Sequence, residues 1–594
     1  MAIKGHISVT DLARTFGVTR QAVQKMLKGA EGARFKKVGA AFLYEVASLP
    51  KEMQERINTT QKEAAKKAID IGTKHHKDID FEKELWNAAD KLRGNIDASE
   101  YKHVVLGLLF LKYVSDAFYM RRAELEKRLA DPEDKEFYIP DEKSRSVILE
   151  SRDSYRSAGV FYIPEKARWE HLREHAAHTD IGKYIDDAMT AIEDENPKQL
   201  KSVLPKTFTR SPLESHVLGE LVNIFSRIKF NHDIDHEKDM LGRVYEYFLG
   251  QFASNEGKRG GEFYTPRPIV RLLVEVLEPY ENARVFDPAS GSGGMFVQMS
   301  TYLKAHKKDS SRLAVFGQES NTTTWRLCRM NLAIRGIFGQ IEVGSSYYDD
   351  KFPDLRADFV LANPPFNAEW DPNRLSDSDP RLKYGAPPAS NANFMWIQHF
   401  IQHLAPNGMA GFVMANGALA VSGKEGEIRK KIIEDDLVEV IIACPPKLFY
   451  NVSLPVSLWF LAKNKKGDRF RNRSGETLFI DAREQFEAIS RKQVVFNDEH
   501  IKKITDTICA WRGEKDAPKY KDIPGFCKAV KTEEIAKAGH VLTPGRYVGL
   551  AEEEDDGVPF EEKMKKLSAE LKDAFKKGDE LESRIITNLK KLGV

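Results

Sequence analysis

Four consecutive residues, Asn363-Pro364-Pro365-Phe366, combine fixed hydrogen-bond acceptors with an aromatic ring. The prolines lock φ and donate no hydrogen bond, so the backbone carbonyls from Asn363 to Pro365 keep a fixed outward orientation. The Asn363 amide oxygen and the Pro364 carbonyl can accept both hydrogens of an amino group on a base, which draws that nitrogen toward tetrahedral geometry and frees its lone pair. We expect Phe366 to be an exposed ring that stacks on a base swung out of a duplex.

A second motif, Asp287-Pro-Ala-Ser-Gly-Ser-Gly-Gly294, lies between an apolar run that predicts a buried strand and a segment that predicts a helix. Glycine takes positive φ without strain and lets a ligand touch the backbone, so Gly291 and Gly293 are the candidate contact positions. Several unrelated cofactor folds use such a turn, and a purely structural loop has the same composition. The turn alone therefore indicates a nucleotide-type cradle without identifying its ligand.

Together, the two motifs resemble those of the amino-group DNA methyltransferases, which use S-adenosylmethionine and modify adenine at N6. Further matches make the chain similar to the modification (M) subunit of type I restriction-modification systems, from roughly Phe81 to Val548. These matches are Glu84-Leu-Trp-Asn-Ala-Ala-Asp-Lys-Leu-Arg-Gly-Asn95, Gly260-Gly-Glu-Phe-Tyr-Thr-Pro266, Gly385-Ala-Pro-Pro388 with Asn391-Ala-Asn-Phe394, and Leu542-Thr-Pro-Gly-Arg-Tyr547.

The resemblance implies that S-adenosylmethionine is the cofactor. Its methionine end would lie under the Phe-Tyr-Thr-Pro unit, and its ribose hydroxyls would bind Glu319 at the end of the second strand. The residues expected to bind the cofactor are Glu262, Phe263, Tyr264, Thr265, Pro266, Arg267, Asp287, Gly291, Ser292, Gly293 and Glu319. Gly344-Ser-Ser-Tyr-Tyr-Asp-Asp350 departs from the usual pattern after the third strand, so no residue is assigned to the cofactor adenine. Nothing in the sequence requires a metal.

The elements that position these motifs alternate between strands and helices, which predicts an α/β, Rossmann-like domain with a mostly parallel sheet and helices on both faces. Both motifs follow strands, and open α/β sheets place their sites at the carboxyl ends of strands. We predict strands at Arg284–Asp287, Leu313–Gln318, Gln340–Val343, Ala357–Ala362, Met409–Met414, Val438–Ala443 and Val456–Leu461.

The catalytic domain is predicted at 257–480, after a helical domain at 80–256 whose continuous apolar run Val104–Leu111 is typical of a core helix. Within the helical domain, 131–166 reads as an irregular loop. The long connection from Phe366 to Asn393 predicts a functional lid, although its composition also fits disorder. The C-terminal region, 481–594, ends in a helix whose apolar stripe favours a partner-binding face.

The N-terminal residues 1–58 read as an extra winged helix-turn-helix-like module, followed by a linker at 59–79. Two short helices are predicted within Ser8–Leu27, with Gly17 at the turn, and Phe35–Tyr44 reads as a hairpin wing. The stretch resembles the winged N-terminal domains of phage Mu-type transposases. It either contacts DNA or serves as a small interaction domain.

The 594 residues carry a formal net charge of only +2, a poor signature for a protein that holds DNA alone. Either the basic residues are concentrated locally or another subunit supplies most of the contacts with DNA. The resemblance implies double-stranded DNA with a flipped adenine as substrate, two M chains with one specificity (S) subunit, and a restriction (R) subunit in the full complex. We found no membrane span or signal peptide and expect a cytoplasmic protein.

Three other functions remain open on sequence alone. A self-sufficient methyltransferase would need its own target-recognition domain, and the available regions look too small for one. A glutamine methyltransferase that acts on release factors shares the Asn-Pro-Pro block but is far shorter and prefers Tyr at the position of Phe366. A non-catalytic DNA-binding or assembly protein is disfavoured because both chemical motifs are intact.

Overall fold

The computed structural model describes residues 6–8, 35–38, 41–45, 82–94, 96–211, 213–227, 234–255, 265–376, 378–449, 455–467, 469–490 and 493–550, with scattered positions between 564 and 581. The chain divides into two compact units. The first comprises Met1–Tyr155, Phe161–Glu195 and Pro205–Phe248, and the second comprises Arg156–Val160, Asn196–Leu204 and Leu249–Val594.

The first unit is mainly helical and is built around one long helix, Ala98–Ala130. Its run from Val104 to Leu111 is buried, as the apolar sequence predicts. By length and composition alone, this one helix among the described residues could cross a membrane, but its apolar window is 78% buried inside the protein. The other described α-helices before residue 256 are 82–92, Glu142–Leu149, Arg152–Arg156, Trp169–Glu174, Ile181–Glu195, Pro197–Leu200, Ser215–Phe225 and Ile234–Asn255. Of these, Pro197–Leu200 belongs to the second unit.

The expectation of an irregular loop at 131–166 is wrong, because this stretch contains two short helices that pack on the long one. One exposed charge in this stretch is paired across the fold: Glu150 accepts hydrogen bonds from Arg122 at 2.5 Å and from Arg168 at 3.2 Å. Tyr155 is fully buried. The high charge content indicated a loop, whereas Leu149 and Tyr155 each anchor a short helix by burial of an apolar or aromatic side chain.

Three short strands are described near the N-terminus: β1 (His6–Ser8), β2 (Phe35–Val38) and β3 (Ala41–Glu45). They form an antiparallel sheet in the order β1-β3-β2. The β2–β3 hairpin matches the predicted wing. Residues 9–34, which hold nearly all of the predicted helix-turn-helix, lie outside the described part of the chain.

The second unit is organised on a nine-stranded sheet in the order β14-β11-β9-β10-β8-β7-β4-β5-β6. Strands β4 to β8 are parallel along the order β8-β7-β4-β5-β6, whereas β10 is antiparallel to both β8 and β9. The strands are β4 Arg284–Asp287, β5 Ala314–Glu319, β6 Gly339–Val343, β7 Ala357–Ala362, β8 Leu404–Ala415, β9 Val438–Ala443, β10 Val456–Ala462, β11 Glu476–Asp481 and β14 Cys527–Lys531; a separate hairpin comprises β12 Glu487–Ser490 and β13 Gln493–Val495.

All seven predicted strands are present, but the sheet also includes β11 and β14, which sequence analysis did not predict. Strand β11 is parallel to β9, and β14 pairs with β11 in antiparallel register. The sheet therefore extends beyond the predicted domain boundary at 480.

Helices cover both faces of the sheet over two apolar cores. They are Arg267–Leu277, Gly294–Ala305, Thr322–Ile334, Asn393–His403, Gly423–Glu434, Asp498–Arg512 and Thr532–Lys537. Strand β4 hydrogen-bonds to β5 on one side and to β7 on the other. Because these three strands are parallel neighbours, the residues at their carboxyl ends meet at one edge of the sheet.

Candidate active site

The glycine turn after β4 adopts the backbone conformation that its sequence predicts. Gly291 has φ 51° and Gly293 has φ 79°, both in the left-handed region. A Cβ at Gly293 would lie 3.0 Å from Cys328 Sγ, a tight contact that would require the cysteine side chain to shift. The nearest neighbour of a Cβ at Gly291 would be 4.0 Å away, so the backbone there is open to a ligand. The two glycines thus combine a tight turn with an accessible backbone.

Glu319 closes this turn from the end of β5. Its Oε2 accepts a hydrogen bond from Gly291 N at 3.0 Å, and its Oε1 accepts one from Asn321 N at 2.9 Å. An acidic side chain at this place in a nucleotide-binding fold can accept hydrogen bonds from ribose hydroxyls. The carboxylate expected from the sequence therefore lies directly beside the glycine turn.

Asp287, the last residue of β4, is buried beneath the same turn. Burial raises the pKa of its carboxyl group to about 8, and Glu319 adds to the increase, although Ala289 N donates a hydrogen bond to Oδ1 at 3.0 Å and opposes it. Ser292 lies on the turn itself, where its carbonyl accepts a hydrogen bond from Asn331 Nδ2 at 2.7 Å. Both residues fix the shape of the turn.

Asn363 follows β7 and contacts a residue that lies 98 positions earlier in the chain. Its Nδ2 donates a hydrogen bond to Thr265 Oγ1 at 2.8 Å. Its Oδ1 is buried and has no hydrogen-bond partner among the described residues. An unsatisfied buried acceptor costs about 1–3 kcal/mol, so this oxygen calls for an explanation. A ligand with an N–H group would satisfy it.

The remaining residues of the Asn-Pro-Pro-Phe motif differ partly from expectation. Pro364 is buried, and Pro365 and Phe366 are half-buried. The Phe366 ring packs against both apolar cores, so it is not the exposed ring that we expected. Packing from both sides restrains the ring and leaves part of its surface accessible.

The Phe-Tyr-Thr-Pro region is described only in part. Thr265 and Pro266 lead into the helix that begins at Arg267, and Arg267 is exposed. The proposed cofactor residues Glu262, Phe263 and Tyr264 lie outside the described residues. The structure thus brings Thr265 to Asn363, a contact for which the sequence carries no local signal.

The segment after the third parallel strand, 344–350, is tied to the glycine turn. Ser346 Oγ donates a hydrogen bond to the Pro288 carbonyl at 2.6 Å. Gln318 holds the same segment, because its Nε2 donates to Asp349 O at 2.8 Å and its Oε1 accepts from Lys351 N at 3.0 Å. Sequence analysis missed these contacts.

Asp350 anchors the end of that segment to the helix Asn393–His403. Its Oδ2 lies 3.0 Å from His403 Nε2. Although burial opposes ionisation, the contact with His403 lowers the pKa of Asp350 to about 2. Asp350, His399 and His403 place possible metal ligands within 4.8 Å of one another. The Arg381 guanidinium, 3.5 Å from His399 Nδ1, adds a positive charge beside them.

The connection from Phe366 to Asn393 is anchored to the protein at several points. Trp370 and Arg381 are buried. Arg381 forms an ion pair with Asp379 at 2.7 Å and donates a hydrogen bond to Ser346 O at 2.7 Å. The described part of this connection is therefore packed structure that supports the site from one side.

Two family models match this chain. The model for N-6 DNA methylases matches residues 236–556, and that for the HsdM N-terminal domain matches residues 81–225. The first covers more than half of the 594 residues and includes every described residue of the candidate site.

Full-length relatives agree with the family models. The chain is 49% identical over 520 residues to the type I restriction enzyme MjaIX methylase subunit of Methanocaldococcus jannaschii, covering 86% of this chain and 92% of that protein. It is 45% identical to the HindI methylase subunit of Haemophilus influenzae, covering 73% of this chain and all of that protein.

A solved structure shows the same architecture. The type I restriction-modification methyltransferase subunit from Streptococcus thermophilus superposes with a TM-score of 0.66 at 26% identity, covering 80% of this chain and all of that one. The chain therefore belongs to the N-6 DNA methylase family and, within it, to the methylase subunits of type I restriction enzymes, which makes it an adenine-specific DNA methyltransferase.

Proposed function

We propose that this chain transfers a methyl group from S-adenosylmethionine to N6 of an adenine flipped out of double-stranded DNA, with an S subunit supplying the sequence specificity. The observation that carries the proposal is the buried Oδ1 of Asn363, which has no hydrogen-bond partner in the part of the chain that the structure describes. An adenine amino group provides the donor that this oxygen lacks. The neighbouring Pro364 carbonyl is the second acceptor, and Phe366 stacks on the base.

The residues around the glycine turn fit S-adenosylmethionine. The left-handed Gly291 leaves space beside the backbone, and the Glu319 carboxylate lies within reach of a ribose placed there. Asp287, Ser292 and Gly293 shape this cradle. Thr265, Pro266 and Arg267 cover the methionine end, together with Glu262, Phe263 and Tyr264.

The chemistry depends on positioning. When bound, S-adenosylmethionine would supply a methyl group activated by a positively charged sulfur and leave as S-adenosylhomocysteine, with the surplus N6 proton released to water. Asn363 Oδ1 and the Pro364 carbonyl accept the two N6 hydrogens, hold the amino group in place and favour the tetrahedral nitrogen that can form the new bond. The half-buried Phe366 keeps the base from returning to the duplex. The protein forms no covalent intermediate, and its contribution is orientation and hydrogen-bond polarisation.

We assign the assembly as two copies of this chain with one S subunit, joined by an R subunit in the complete restriction enzyme. The net charge of +2 supports DNA binding that this chain shares with the S subunit. Apolar residues at the described helical positions near the C-terminus are exposed, as a partner-binding stripe would be; they are Met564, Leu571, Phe575 and Leu581. Residues 1–58 form an added module with a linker at 59–79, and the complex acts in the cytoplasm.

Family membership disfavours the glutamine methyltransferase and the non-catalytic protein. One experiment distinguishes a self-sufficient methyltransferase from an M subunit that needs an S subunit. Transfer of labelled methyl groups to unmethylated genomic DNA is measured with the purified chain alone and with the S subunit encoded beside it. Label in N6-methyladenine only in the mixture supports the proposal. Sequence-specific methylation by the chain alone would overturn the assignment of specificity to S.

A further inference from the structure

The contact between Thr265 and Asn363 defines which atom of the Asn363 amide is available to substrate. Thr265 Oγ1 lies 2.8 Å from Asn363 Nδ2, and the other amide atom, Oδ1, is buried and contacts no hydrogen-bond donor of the described residues. The amide group of asparagine has a donor end and an acceptor end, and a rotation of 180° exchanges them. Only one of the two orientations presents an acceptor to an amino group.

A hydroxyl oxygen can both accept and donate, so the threonine could in principle pair with either end of the amide. The choice is decided by where the hydroxyl proton goes. In the structure Nδ2 is the end that faces Thr265, and Oγ1 accepts its hydrogen, which leaves the hydroxyl proton to be donated elsewhere. Oδ1 then points away from the threonine and stays free for substrate.

We propose that Thr265 is a positioning residue for methyl transfer: its hydroxyl accepts the Asn363 Nδ2 hydrogen and thereby keeps Oδ1 available to the adenine amino group. This inference rests on the proposed function and adds a role to a residue that the family resemblance assigns only to the cofactor. The position of Thr265 is restrained by the helix Arg267–Leu277. Thr265 lies two residues before the first residue of this helix, and Pro266 fixes the backbone between them.

Two substitutions separate this role from a role in cofactor binding. Thr265→Val keeps the shape of the side chain and removes the hydroxyl, whereas Thr265→Ser keeps the hydroxyl. We expect Thr265→Val to lower kcat about 10- to 100-fold, the loss of one positioning hydrogen bond. Thr265→Ser should restore the rate to within about threefold of wild type, because the acceptor oxygen is back.

The experiment uses the full chain with its S subunit and unmethylated DNA. Single-turnover methyl transfer is measured at saturating S-adenosylmethionine, and the Kd for the cofactor is measured separately by calorimetry. We expect the Kd of Thr265→Val to change less than its rate of methyl transfer, since valine keeps the shape that covers the cofactor and only the hydroxyl acts on Asn363. Introducing Thr265→Val into an Asn363→Ala chain should produce no further loss, because the two residues act as a unit.

Three outcomes would overturn the inference. The first is a wild-type rate in Thr265→Val. The second is a rate loss that disappears when the cofactor concentration is raised, since this places the hydroxyl on the cofactor alone. The third is a failure of Thr265→Ser to restore the rate. Absence of methylation by the wild-type complex would instead contradict the proposed function, so the two failures are distinguishable.

Discussion

Substitution of Asn363 should slow methyl transfer without weakening cofactor binding. The Asn363 side chain contacts Thr265 through Nδ2, and its Oδ1 has no partner among the described residues. In Asn363→Ala, we expect kcat to fall about 100- to 1000-fold, in the range measured when one preorganised hydrogen-bonding group is removed from an active site. The Kd for S-adenosylmethionine should change little. Single-turnover transfer and calorimetry measure the two quantities.

The matched control is Asn373→Ala, because Asn373 is an exposed asparagine in the connection that follows the motif. It should methylate DNA like the wild type. If Asn363→Ala also retained a near-normal rate, activation of N6 by this amide would be wrong.

Gly293 and Gly294 allow a second matched test at adjacent positions. Gly293 has φ 79°, and a Cβ there would lie 3.0 Å from Cys328 Sγ, whereas a Cβ at Gly294 would contact nothing within 4 Å. We expect Gly293→Ala to lower the free energy of unfolding by about 1–3 kcal/mol and to weaken cofactor binding, because the turn must distort. Gly293→Asp should abolish cofactor binding, since its larger side chain would also fill the cradle.

Gly294→Ala is the control, and it should leave both quantities close to wild type. Urea unfolding and calorimetry of the cofactor check the pair. Equal effects at the two positions would show that the turn does not depend on the left-handed glycine.

The raised pKa of Asp287 predicts a pH dependence of stability. Its carboxyl group has an ordinary value of 3.8 and a folded value of about 8. Between these values the folded state keeps a proton that the unfolded state has released, so stability falls as pH rises and the loss is complete above about pH 8. The slope from this one group approaches about 1.4 kcal/mol per pH unit.

Asp287→Asn removes the titration and should flatten the curve. Urea unfolding of both proteins from pH 5 to pH 8 gives the comparison, in which contributions from other groups cancel. Parallel curves for the two proteins would contradict the shifted pKa.

At the scale of elements, the parallel strands were predictable because each is a short apolar run bounded by turn residues. Strand β11 was not, since it follows a basic stretch that favours an exposed loop. In the folded protein Lys465 and Arg473 of that stretch are buried, and both are neutralised by carboxylates from other elements. Sequence patterns cannot show that a charge is paired across the fold.

Glu439 lies in a buried cluster of charges whose contribution to the free energy of unfolding can be measured. Glu439 Oε1 accepts hydrogen bonds from Arg473 at 3.0 Å and from Arg512 at 3.2 Å, and all three side chains are at most 2% exposed. Burial opposes ionisation, but the two arginines hold the pKa of Glu439 below its ordinary value. We expect Glu439→Gln to lower the free energy of unfolding by about 3–5 kcal/mol, because it leaves two buried cations without a counter-charge.

Glu534→Gln is the matched control, because Glu534 forms an exposed ion pair with Lys528. Its cost should be below about 1 kcal/mol. Denaturant unfolding measures both variants, and similar small losses would mean that the buried cluster adds little.

The candidate site shows the same limit of sequence reasoning. Its two motifs could be located because glycine, proline and asparagine carry distinctive backbone and hydrogen-bonding properties. The pairing of Thr265 with Asn363 could not, since nothing local signals a contact across 98 residues. The half-buried state of Phe366 also depends on two cores that only the folded chain brings together.

At the scale of the whole molecule, the extent of the sheet predicts where the chain can be shortened. A chain ending at residue 480 lacks β14 and the helix Asp498–Arg512, whose apolar face completes one of the two cores. We expect that chain to be insoluble or unfolded. A chain ending at Leu550 keeps every described strand and should fold, yet fail to bind the S subunit.

Thermal unfolding and gel filtration with the S subunit distinguish these outcomes. A folded chain ending at 480 would show that β14 is dispensable. A stable complex of the chain ending at Leu550 with the S subunit would show that the apolar C-terminal positions are not the partner-binding face.

The antiparallel strand β10 has a consequence for how such an enzyme can be extended. Because β9 and β10 run in opposite directions, the end of β9 at Ala443 and the start of β10 at Val456 both lie at the carboxyl edge of the sheet, where β7 ends before Asn363. Lengthening a flexible connection between strands costs only about 0.6 kcal/mol per doubling. A segment that recognises DNA could therefore be inserted between these two strands without altering either of them. Such an insertion would give the subunit its own sequence specificity, which the S subunit otherwise supplies.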